Sequence, residues 1–121
     1  MYIAPIVQNN SILKEGQKIE LIIKDLRILR NEKWGSKLGV TLLEIVFESI
    51  CGRIIVKKLQ YSFTYKSEIN QIYEAVTGRE IDGEKGFDSN EIIGKSISTI
   101  VSKYEYKGYR NTTVIDFEAV K

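Results

Sequence analysis

Two stretches of the chain mix flat rings with cations. "RNEKWGSK" at residues 30–37 holds Arg30, Lys33, Trp34 and Lys37, and "KYEYKGYRN" at 103–111 holds Tyr104, Tyr106, Lys107, Tyr109 and Arg110. Turns ordinarily favour Gly, Asn, Asp and Ser, and a tyrosine exposed in one forgoes the burial that suits its size. Rings beside cations suit an unpaired nucleic-acid strand, whose bases present π-faces and whose phosphates need positive partners. Stacking of this kind contributes roughly 1–3 kcal/mol per base and depends little on sequence.

Other chemistries have less material to work with. The chain has no histidine, which removes the commonest general base near neutral pH, and its single Cys51 has neither a disulfide mate nor a histidine to activate it. A zinc site would have to be built from carboxylates. Glu80, Asp82, Glu84 and Asp88 cluster without the spacing of an EF-hand loop, and the glycines at 83, 86 and 94 follow neither the GxGxxG nor the P-loop pattern. The expectation is a protein that is not an enzyme and holds neither metal nor cofactor.

The net charge of +2 conceals a segregation. Residues 1–66 carry eleven Lys/Arg against six Asp/Glu, residues 67–94 two against seven, and residues 95–121 five against three. The basic character lies in the parts that read as strands, as a polyanion-binding face would require.

The elements that must position these residues follow from hydrophobic period and turn residues. "QKIELIIKDLRIL" predicts a first strand with Ile19, Leu21 and Ile23 on one side and a bend partway along. Asn31, Gly35, Ser36 and Gly39 then predict a loop before a second strand over 40–48. Residues 53–63 read as a third strand, with Ile55, Leu59, Tyr61 and Phe63 in period two. Ile69, Ile72, Tyr73 and Val76 recur at helical spacing between a Ser67 cap and Gly78. Asp88 or Ser89 caps a further helical turn. Strands over 95–106 and 112–120 close the chain around "KGYRN".

At 121 residues this is one domain, residues 1–121, with 1–16 as an extended lead-in. Three strands, a helix and two strands match the OB-fold, a mainly β, five-stranded Greek-key barrel with one helix between strands three and four. In that fold ligands lie across strands two and three, between the loop joining strands one and two and the loop joining strands four and five. The two aromatic stretches fall on those loops and are expected to be adjacent in space. Lys57, Lys58 and Tyr61 of the third strand join the candidate set, with Phe63 and Tyr65 further along, although its two faces cannot both meet a ligand.

From "GFDSNEIIGKSISTIVSKYEYKGYRNTTV", with Phe87, Asp88, Ile92, Ile93, Gly94, Lys95, Tyr104, Tyr106 and Gly108, the chain resembles the small single-stranded DNA-binding proteins of bacteriophages. The resemblance is clearest over residues 67–114. It implies an OB-fold protein that coats single-stranded phage DNA in replication or recombination, with Tyr104, Tyr106, Lys107 and Tyr109 on the binding hairpin. It also implies a homo-oligomer in many members, and replication or recombination proteins as partners. The chain ends in "VIDFEAVK" where bacterial single-strand binders carry an acidic recruiting tail. The opening lacks a secretion signal and no run is long enough to span a bilayer, so a cytoplasmic location, the host cytoplasm if phage-encoded, is expected. Two alternatives remain open. One is a protein-interaction module of the same fold, such as a phage inhibitor of a host protein, since Tyr, Trp and Arg also anchor protein interfaces. The other is oligosaccharide binding. The strand edge in "IELIIKDL" offers a site for pairing between copies.

Overall fold

The computed structural model describes residues 13–64 and 66–120, without the side chains of Tyr106 and Arg110. Most of the expected lead-in and the candidate Tyr65 lie outside the described residues, as do those two side chains. The elements are β1 (Lys18–Trp34), β2 (Lys37–Ser49), β3 (Ile54–Gln60), α1 (Glu68–Thr77), a 3₁₀ turn (Ser89–Glu91), β4 (Ser96–Tyr106) and β5 (Tyr109–Glu118). All five strands form one antiparallel sheet in the order β3-β2-β1-β4-β5. This is the mainly β class expected, with its helix between the third and fourth strands.

β1 runs through the middle of the sheet, paired with β2 along its length and with β4 over its first part. It is therefore not the edge on which pairing between copies was expected; β3 and β5 are the outer strands. The bend in β1 is a one-residue bulge at Lys24, because Ile23 faces Phe47 while Asp25 already faces Val46. The extra residue shifts the side-chain alternation, so Leu21 and Ile23 point to the core before it, and Leu26 and Ile28 take that side after it. Gly94 donates to Ile23 O at 2.7 Å and Ile23 N–H donates to Lys95 O at 3.0 Å, pinning β1 beside the start of β4.

Beneath the inner face lies one core, built from Leu43, Ile45 and Phe47 of β2, Ile55 and Leu59 of β3, Ile97 and Val101 of β4, and Val114 and Phe117 of β5. α1 covers it with Ile69, Ile72 and Tyr73. The helix starts where Ser67 Oγ accepts from Asn70 N–H and stops at Gly78, whose φ of 75° lets its N–H return to Glu74 O. Buried Asn70 is satisfied in turn, its Oδ1 accepting from Ile81 N–H at 2.8 Å.

Three boundaries differ from expectation. The loop foreseen at 30–39 is mostly strand, because its breakers are absorbed as bulges: Asn31 (φ 58°) and Gly39 (φ 69°) take left-handed conformations inside the hairpin, leaving only Gly35–Ser36 as the turn. β5 begins at Tyr109, since Lys107 and Gly108, both with positive φ, make a two-residue turn between Tyr106 and Tyr109. β3 ends at Gln60, three residues early. Tyr61 and Phe63 leave the sheet to pack on each other at 5.0 Å, and Phe63 meets Phe87 edge-on at 5.9 Å.

The sheet is open, with no backbone ladder joining β3 to β5 among the described residues. It nevertheless curls until the two outer strands meet through one side chain. Lys57 Nζ on β3 donates to Val114 O on β5 at 2.6 Å.

Candidate nucleic-acid interface

The pairing registers sort the side chains of β1, β2 and β3 between two faces. Ile28, Leu43 and Leu59 form one inward row, and Leu26, Ile45 and Lys57 the next. Lys57 therefore points into the molecule. Besides its bond to Val114 O, its ammonium lies 2.7 Å from Glu68 at the start of α1 and 5.5 Å from the Phe117 ring. This corrects its place among the ligand-facing cations. Burying a lysine is costly unless it is paired and hydrogen-bonded, and here both conditions are met by joining β3, β5 and α1.

The outward rows are Leu29–Leu42–Gln60, Arg27–Glu44–Lys58, Asp25–Val46–Val56 and Ile22–Glu48–Ile54. Lys58 is on this face, but its Nζ lies 3.5 Å from Glu32. Arg27 is held by Asp25 at 2.9 Å and by Glu44 at 3.8 Å, and Lys24 by Glu48 at 3.7 Å. The hydrogen bond from Arg27, then that from the Leu26 N–H, lowers the Asp25 carboxyl below its ordinary value, which keeps the pair ionised. The middle of the outer face is thus charge-balanced, with its carboxylates in place, and does not form a cationic track.

At the β1–β2 tip the arrangement changes. Trp34 closes β1 opposite Lys37 and is half-buried against the end of β3. Trp34, Lys37, Val40, Leu42, Gln60 and Tyr61 surround a cleft of about 360 Å³. Leu42 sits at its base, buried although it belongs to the outer face and lies outside the main core. Arg30 and Lys33 are exposed on the same hairpin. Tyr61, 45% exposed, owes its position to β3 ending early. Sequence reasoning placed Trp34, Lys37 and Tyr61 among the candidates but had no signal for Leu42 or Gln60, which read as ordinary strand residues.

The second hairpin is elsewhere. β4 passes β1 with Ser96 opposite Ile22 and Ile100 opposite Lys18, so it leaves the sheet beyond the beginning of β1, whereas Trp34 is its end. On the other side, β5 runs in the same direction as β3 beside Lys57, which puts Tyr109 toward the β2–β3 turn and away from Gln60. The expected adjacency of the two aromatic loops is therefore corrected: they lie at opposite ends of the β2–β3 face. Tyr104 is 49% and Tyr109 74% exposed, and Lys107 is exposed at the turn.

Behind the first end stands a chain of rings: Tyr61, Phe63, Phe87 and then Tyr73, with the last pair 5.1 Å apart. Tyr73 donates its hydroxyl proton to Glu91 at 2.6 Å, and Arg79 reaches the same carboxylate at 2.8 Å. The hydrogen bond from Tyr73 is the main cause that lowers the Glu91 carboxyl, and the same bond raises the Tyr73 phenol. Cys51, exposed in the β2–β3 turn, has its thiol lowered chiefly by Ser49 Oγ, 3.1 Å away. No helix among the described residues is long and apolar enough to cross a membrane. The chain matches no protein-family model and no curated protein sequence.

Proposed function

We propose that this protein is a non-catalytic binder of single-stranded DNA, with its site at the β1–β2 hairpin end. The observation that carries the reading is that Trp34 and Tyr61, distant in sequence, line one cleft together with Lys37. Two rings can stack bases while Lys37, with Arg30 and Lys33 on the same hairpin, neutralises phosphates. The strand order, the helix after β3 and the meeting of β3 with β5 fit an OB-fold barrel closed on one side by Lys57. The resemblance over 67–114 supplies the setting, phage DNA replication or recombination.

Titration with oligo-dT tests it, following Trp34 fluorescence over a range of salt. Two or three phosphate contacts predict that log K falls against log salt with a slope of about −1.4 to −2.1. Saturable quenching that is stronger for the single strand than for duplex of equal length is expected. The absence of both quenching and a mobility shift at low salt would rule the function out.

A second reading, a protein-interaction module, draws on a different observation. Ile22, Ile54 and Val56 are each about half exposed on the outer face around Val46, among carboxylates that disfavour a polyanion there. It expects a partner whose binding falls with salt more gently than phosphate contacts would and is lost on Ile54→Lys, with oligo-dT binding untouched.

A further inference from the structure

Three clefts follow one another around the end of β3, and each neighbouring pair shares one aromatic wall. Trp34 lines both the 360 Å³ cleft and a second of about 380 Å³ that includes Gln60, Ser62, Thr64, Lys66 and Ser67. Tyr61 lines the 360 Å³ cleft and also a third of about 200 Å³, with Ile28, Phe63 and Phe87. The second cleft is polar and carries Lys66; its carboxylate, Glu68, is already neutralised by Lys57 at 2.7 Å. The third is apolar and opens where Ile28 is 49% and Tyr61 45% exposed.

Resting on the single-strand reading, we infer that the strand crosses the end of β3 through these three compartments, with Trp34 and Tyr61 as the partitions between successive bases. The route starts beside Lys66, passes Lys37 and ends with a base against Ile28 and Phe87. It avoids the middle of the outer face, where Asp25, Glu44 and Glu48 would meet the phosphates. The contact length is then about three nucleotides, just below the roughly 4–16 usual for one OB-fold. Tyr104 and Tyr109, at the opposite end of that face, lie off the route.

The test measures anisotropy of labelled oligo-dT, one to eight nucleotides long, at low salt. Affinity should climb steeply to about three nucleotides and flatten beyond that, as one stack is added per compartment. Tyr61→Ala and Ile28→Glu should each weaken the octamer about tenfold, and Tyr61→Phe should retain binding because the ring remains. Tyr109→Ala should stay within about twofold of wild type. If Trp34→Ala weakens binding while Ile28→Glu and Tyr61→Ala do not, the route is wrong and the single-strand reading survives. A loss in Tyr109→Ala equal to that in Trp34→Ala has the same meaning. If no oligonucleotide binds wild type at low salt, both readings fall together.

Discussion

The two hairpin ends share a composition and differ in their surroundings. Trp34 lines one cleft with Tyr61, which follows β3, and with buried Leu42 of β2. Tyr109 stands beside a tight turn, 74% exposed, and Tyr104 lies three residues before that turn on β4, 49% exposed. A ring that stands alone offers one face to any passing group, whereas two rings around a cleft exclude water from both sides of what enters. The difference comes from a neighbour brought in by another strand, not from the hairpin's own residues.

Breaking the frame that separates the two ends should have the largest effect. Lys57→Ala removes the bond that holds β5 against β3 and leaves Val114 O and Glu68 without their cation, so stability should fall by about 2–3 kcal/mol in denaturant unfolding. A loss under about 0.5 kcal/mol would mean that the strands meet without it. Next, Trp34→Ala should weaken oligo-dT binding by about 1–3 kcal/mol with the fold intact by circular dichroism. Equal affinity would remove Trp34 from the site.

Acid should distinguish the ends further. Glu91 has its folded pKa below the ordinary carboxylate value, so its contribution is present above that value and is lost as pH falls through the folded one. Because Glu91 holds Tyr73 behind Phe87 and Tyr61, a melt series from neutral to acid pH should lose stability over that range. Tyr73→Phe should show a shallower decline, and an unchanged slope would sever the link. Smaller still, Gly108→Ala should cost about 1 kcal/mol, since φ of 82° is strained for any residue with a Cβ although nothing crowds it. A neutral result in the same unfolding assay would show that the turn relaxes.

Much of the scaffold was legible in the chain. Alternation marked the first and third strands and apolar, β-branched runs the second, a bend partway along β1 was expected though not its position, and Ser67 and Gly78 bracketed the helix at both ends. These signals are local, because alternation and capping depend on neighbours within a few residues. Boundaries were less legible. Asn31 and Gly39 are breakers in any single-chain reading, yet a paired strand accommodates each as a bulge. Tyr61 continued the alternation of β3, but it leaves the sheet to pack on Phe63, itself edge-on to Phe87, and joins the cleft wall.

The sequence by itself determined which residues could stack and neutralise: rings and cations gathered on two hairpins, with no histidine to support other chemistry. Only the tertiary structure decided which of them act together. Whether Lys57 faces in or out depends on its register against Ile45 and Leu26, and whether Trp34 meets Tyr61 or Tyr109 depends on where β4 leaves β1. Both are contacts between strands far apart along the chain. No pattern within either strand encodes them, because side-chain period specifies alternating faces while strand pairing specifies which faces and ends come together.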